Sequence, residues 1–437
     1  MGAIAGRPLP AGILEQIGKG MTKDIMKPDY ANNMRLIGHS DQGGLRDGIQ
    51  VMVEDGFAYI GHLFSQGFSI VDVRDPANPK PAGYVKAPAN TWNVHLQTAD
   101  GLLLVIHGKD VFADAAFVDE ASYYKAAAGT ALGTAAPKTA RNWDAGLAVY
   151  DIASKPGEPR RIGFMPVSGG IHRIWWTGGK WAYVSALLDG YTDFIFMTVD
   201  MSDPTNPREA GRYALPGMHQ AGGETPSWPV NAKFGLHHAI VDGDTAWGAW
   251  RDAGLVVMDV ADPAKPSLIR HTNWSPPFQG GTHNCLPIKD RDILVVVDEA
   301  VLDDFEDGLK NIWIFDIKDK ANPVPIATMP PPSDQDYTHK GAHYGPHNIH
   351  ENRPGSFQSS SLIFSTWQNA GVRVYDISNA YQPKEVGALV PPPPSGLMDQ
   401  RPGKKKIIQT CDIFVDKSGL AYVTDYNAGL YIMEYTG

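Results

Sequence analysis

The chain has 437 residues, 43% hydrophobic and 20% charged, a balance that supports a large folded core rather than a disordered segment. A formal net charge of -10 leaves no basic stripe to neutralise phosphates, which argues against a nucleic-acid partner. No run approaches about 18 apolar residues, so no membrane span is expected; the only cysteines, Cys285 and Cys411, form no disulfide framework and leave reducing and oxidising compartments both open.

The start, MGAIAGRPLPAGILEQ, lacks the basic residues and long apolar stretch of a secretory signal, which favours the cytoplasm; a native leader exchanged for Met1 and Gly2 would instead mean the periplasm. Residues 1–33 read as an extension. MRLIGH, from Met34 to His39, reads as a strand, and after it comes a unit of four: GIQVMV from Gly48, FAYIGH from Phe57, FSIVDV from Phe68 and PKPAGYV from Pro79. The third strand closes on an acidic residue followed by a Pro turn, and this phrase returns along the chain. It reads IVDVRDPANP from Ile70, AVYDIASKPGEP from Ala148, TVDMSDPTNP from Thr198, VVMDVADPAKP from Val256, WIFDIKDKANP from Trp313, VYDISNAYQP from Val374 and YIMEYTG from Tyr431. A sheet of this size cannot bury its own faces, so the copies must stack on one another.

The last unit stops at Gly437 after its third strand, and Met34 to His39 matches a fourth (compare RRIGFM from Arg160). The two ends are therefore expected to share one blade and close a ring, leaving no open sheet edge. The prediction is an all-β chain, with residues 34–437 forming one seven-bladed β-propeller of four-stranded blades. The third-strand phrase, seen as SIVDV and VVMDV, resembles the LVIVD-repeat family of bacterial β-propellers. That resemblance implies the fold and leaves the chemistry to be argued from residues.

Six long insertions interrupt the repeat: 109–143 and 301–310 between second and third strands, and 215–234, 271–282, 329–346 and 390–409 between blades. In a propeller these connections share one face, as expected of a ligand site on a rigid scaffold. Where innermost strands begin on that face, His172, His237, His283 and His347 occupy nearly the same register, with His95 close to it and Ile49 and Cys411 breaking the series. A structural role would extend to all seven blades. Convergent neutral imidazoles instead suit Zn, Mn, Fe or Cu, so these four are the expected ligands of a divalent transition metal.

His95, as fifth ligand or base, and His62, His107 and Glu299 at the ends of second strands, are the expected proton-transfer groups, with Asp425 and Ser185 in similar places. Arg46 and Gln50 are expected to bind an anionic group, and Trp250, Trp367 and Tyr344 to wall a pocket for an apolar or aromatic substrate. Lys404 to Lys406 reads as a solvated loop tip, and Glu351 as directed toward the far turn. Nucleophile elbow, phosphate loop and dinucleotide fingerprint are all missing.

The reading that follows is a metal-dependent lyase or hydrolase acting on a small organic substrate, aromatic or carboxylate-bearing. An all-His set also resembles the iron centre of propeller-fold carotenoid-cleaving dioxygenases, so an Fe or Cu oxygenase is the first alternative. A non-catalytic binding scaffold is the second.

Overall fold

The computed structural model describes residues 25–113, 120–125 and 141–437; the rest of the expected extension and of the 109–143 insertion lies outside these. Among the described residues the architecture is all-β, built from four-stranded antiparallel units. Blade one comprises Val51–Glu54, Phe57–Gly61, Gly67–Asp72 and Lys80–Lys86; blade two Leu96–Ala99, Leu102–Lys109, Gly146–Asp151 and Arg160–Pro166. Blade three holds Gly170–Trp175, Trp181–Leu187, Ile195–Asp200 and Arg208–Tyr213, and a single pair, Gly170 with Gly108, joins its sheet to that of blade two. Blade four is His238–Asp242, Thr245–Ala249, Leu255–Asp259 and Ser267–Thr272, and blade five Thr282–Ile288, Ile293–Asp298, Ile312–Asp316 and Val324–Thr328.

Blade six has Leu362–Thr366, Val372–Asp376 and Lys384–Val390. Its inner segment pairs irregularly, through His347 N–H to Thr366 O (2.9 Å) and the Ile349–Ser365 bridge. Blade seven joins Thr410–Val415, Leu420–Asp425 and Gly429–Tyr435 to Met34–Ser40, with Met34 opposite Tyr435 and Ser40 opposite Leu430. The chain ends therefore close the ring as the sequence predicts. One boundary moves: the extension expected over 1–33 ends sooner, because Tyr30–Asn32 pair with the outer strand of blade six, Tyr30 opposite Val390. The outermost strand of that blade had free hydrogen-bonding groups, and three residues of extended chain satisfy them.

The repeated Pro turn also acts between blades. Strands three and four carry a bulge in each blade, and in several a glycine stands beside it. At Gly38, Gly163 and Gly211 a Cβ would meet the carbonyl oxygens of Pro76, Pro204 and Pro263 in the next blade's turn, at 2.1, 2.2 and 2.5 Å. Each turn thus seats against backbone that only glycine leaves bare. Between blades lie apolar layers, the largest including Trp367, Tyr344, Tyr375 and Tyr431.

Candidate metal centre

Five imidazoles meet at the axis. Ring centroids are 4.7 Å apart for His95 and His172, 4.6 Å for His172 and His237, 3.7 Å for His237 and His283, and 4.5 Å for His283 and His347. The repeat supplies a means of orienting them. His237 Nδ1 donates to the carbonyl of His283 (2.8 Å) and His347 Nδ1 to that of Cys411 (2.6 Å), while His95 Nδ1 donates to that of His172. Each acceptor belongs to the equivalent position of the next blade. A carbonyl only accepts, so Nδ1 carries the proton and Nε2 is left for the axis.

The Nε2 atoms of His172 and His237 lie 2.8 Å apart. Burial, reinforced by the charges of Arg173 and Arg251, holds His172 and His237 well below the ordinary imidazole value. Burial does the same for His95, aided by Arg173, and for His283. These rings are neutral, the form that ligates.

Glu299 completes the group. Its Oε1 is 3.0 Å from His347 Nε2 and its Oε2 is 3.5 Å from His283 Nε2, and Oε2 also pairs with Arg251 Nη1. Burial opposes its charge, yet His283, Arg251 and His347 together hold the carboxyl well below its usual range. His237, His283 and Glu299 each offer a ligand atom, all within 4.8 Å of one another. The donor chemistry fits a divalent ion. His347 has Nδ1 on a carbonyl and Nε2 on a carboxylate, both acceptors, so the place between His347 and Glu299 calls for a positive species.

A cavity of about 180 Å³ stands over these residues. Five of the six insertions reach it through described residues, among them Tyr123, Lys233, Asp303, His343 and Arg401, which places them on one face as predicted. Its other wall, from blades one to three, is apolar: Leu63, Phe64, Trp92, Phe112 and Phe194 are half-buried and line the space. Lys404 and Lys405 also line it; Lys404, with Nζ 2.9 Å from Asp303, is half-buried, while Lys405 and Lys406 are exposed as expected of a loop tip.

Several expected site residues lie elsewhere, for one reason. Side chains alternate along a strand, and His62, His107 and Asp425 fall on the wrong parity. The next residue in each case, Leu63, Gly108 or Tyr426, faces the cavity. His62 instead bonds Gln42 (2.8 Å), Ser69 (3.1 Å) and Ser65 (2.9 Å), and His107 packs on Phe164. Trp250 has the same parity and is core, with Arg251 after it in the cavity; Trp367 and Tyr344 are core in the largest apolar layer. Glu299, one residue past Asp298, has the favourable parity. Ser185 Oγ accepts from the Arg173 amide (2.8 Å).

Arg46 turns to Ser395 (3.1 Å), away from the cavity. Gln50 accepts from the Leu96 amide (2.9 Å) in a separate buried polar group with Arg353, Asp412 and Glu351. Glu351 there pairs with His238 at 3.0 Å, a partnership invisible in sequence because 113 residues separate them.

Arg251 was not anticipated, although the sequence carried a signal. Blade four reads Trp250-Arg-Asp-Ala-Gly254 where blade six reads Trp367-Gln-Asn-Ala-Gly371. Both second residues are left-handed, φ 47° and 45°, and both bridge to the following blade, at Thr282 and Thr410. Arginine therefore stands where the same turn elsewhere accepts glutamine.

The LVIVD repeat model matches residues 46–86, 173–214 and 239–273, so the chain carries LVIVD repeats at three places. None of the curated proteins matches it in sequence. Among solved structures it is similar to a hypothetical selenium-binding protein from Sulfolobus tokodaii (13% identity over 90% of this chain and 87% of that one, TM-score 0.53). It is also similar to the periplasmic gluconolactonase of Pseudomonas aeruginosa (10%, 93% and 99%, 0.52) and to the β-propeller domain of Cps50 from Myceliophteria thermophila (12%, 90% and 98%, 0.51). At these identities the likeness defines the β-propeller fold alone. Among the described residues no helix is long and apolar enough to cross a membrane.

Proposed function

We propose that this propeller is a metal-dependent enzyme whose divalent ion is held on the axis by His172, His237, His283 and His347 or a subset of them with His95 and Glu299, and that it acts on a small organic substrate by lyase or hydrolase chemistry. The observation that carries the reading is the convergence of five imidazoles on the axis, three of which, His95, His237 and His347, have Nδ1 bonded to the next blade's carbonyl and so leave Nε2 on the axis. A scaffold needs no such arrangement. A bound divalent ion supplies Lewis acidity toward a carbonyl or carboxylate oxygen, or acidifies water.

The chain's own residues do the rest. Glu299 is ionised and touches both His347 and Arg251, which suits it to ligate the ion or to accept a proton at Oε1 as the base expected in sequence. His237, His283 and Glu299 are buried at the floor of the cavity, which strengthens the charge interactions there.

Elemental analysis of protein purified without chelator tests the reading. One equivalent of Zn or Mn is expected, falling at least tenfold in His237→Ala and His283→Ala. Absence of stoichiometric metal in the wild type overturns it, and Fe or Cu with oxygen uptake replaces it with an oxygenase.

A further inference from the structure

Arg251 is a half-buried cation whose presence the fold does not require. The equivalent Gln368 adopts the same left-handed turn and makes the same bridge, donating its amide to Ala300 O (2.8 Å). The guanidinium lines the cavity, and Glu299 takes only Nη1. The guanidinium also lies against the Tyr124 ring, 5.9 Å from its centroid, in the cavity that the imidazoles floor. A planar fork of this kind matches a carboxylate better than any other side chain does.

The opposite wall narrows the choice of ligand further. Phe64, Trp92, Phe112 and Phe194 present half-buried rings to the cavity, with Trp92 and Phe112 edge to face at 5.9 Å between centroids and the Arg401 guanidinium beside Phe64 and Phe112 at 5.4 and 4.3 Å. Aromatic surface facing a cavity is stabilised more by an apolar occupant than by a polyol, whose hydroxyls the rings do not bond.

We infer that the cavity takes an aromatic carboxylate, its ring against the Phe64, Trp92, Phe112 and Phe194 wall and its carboxylate on Arg251 beside the imidazoles. This rests on the metal-centre reading for its location, yet the Arg251 contact is measurable without metal.

Calorimetric titration of metal-free and Zn-loaded protein with benzoate, benzamide and gluconate separates the two readings. Benzoate is expected to bind at least tenfold tighter than its neutral isostere benzamide in both forms, and gluconate not to compete. Arg251→Gln, a residue this turn already accepts in blade six, is expected to abolish the preference for benzoate while leaving benzamide binding within twofold. Phe112→Ala is expected to weaken both aromatic probes. Equal binding of benzoate and benzamide to the wild type, no binding of either, or retention of the preference in Arg251→Gln overturns the inference. If the Gln variant does not fold, the wild-type preference alone decides. Failure to load Zn with the benzoate preference intact removes the metal centre and leaves the anion site standing.

Discussion

For the histidines at the inner ends of the first two strands of a blade, the parity of the strand position decides what each one does. At the inner-strand position His95, His237 and His347 face the axis with Nδ1 bonded to a carbonyl of the neighbouring blade; at the end of the second strand His62 and His107 are turned away from it, His62 into polar packing and His107 onto Phe164. His62 is the clearest case of the second kind. Burial pushes it down to about 3, and its ring is held neutral by Gln42, Ser69 and Ser65. With an unfolded value near 6.5, the unfolded chain takes up the proton first as pH falls, so the folded state loses stability below pH 6.5 and continues to lose it down to about pH 3. By pH 5 this one residue costs about 2 kcal/mol. Urea unfolding of the wild type and His62→Gln at pH 7 and pH 5 is expected to show the difference between them shift by that amount in favour of the variant at pH 5. A pH-independent difference would mean that His62 is not held neutral.

At the scale of the element, the Pro turn that marks each repeat also interlocks it with its neighbour. Gly163 leaves bare backbone for Pro204 O, and a methyl group placed there comes within 2.2 Å of that oxygen. Gly163→Ala is expected to destabilise by about 2 kcal/mol, because overpacking forces two blades apart. The shift should appear in the urea midpoint, with metal content unchanged since Gly163 lies on an outer strand. The same element logic explains where the site prediction went astray. The ends of the second strands were the right place to look, but His62, His107, Trp250 and Asp425 stand one residue before the position that faces the cavity. Glu299 was recognised because it stands at that position. Arg251 stands there too, and comparing Trp250 to Gly254 with Trp367 to Gly371 would have exposed it.

The whole molecule depends on a strand from the beginning of the chain completing the blade at its end. Removing residues 1–40 deletes Met34–Ser40 and Tyr30–Asn32, leaving the edge of Gly429–Tyr435 unpaired. The expected result is a fall in melting temperature on the order of 10 °C, since several kcal/mol of pairing and burial are lost, together with concentration-dependent aggregation through the exposed edge. An unchanged melting temperature would show that the ring holds without this strand. Closure also concerns the site, because the Cys411 carbonyl that orients His347 belongs to the blade this strand completes.

The sequence by itself determined the repeat, the closing strand, the elaborated face and four of the imidazoles on the axis, because each follows from periodicity and register, which are local properties read at fixed intervals. It left open that Glu299 joins His283 and His347, that Arg251 pairs with it, that Glu351 meets His238, and that Gln50 belongs to a different buried group. Those pairings join side chains dozens to hundreds of residues apart, brought together only when the blades converge on a common axis. Which of two adjacent residues points inward depends on where each strand's pleat begins, and the tertiary structure alone fixes that.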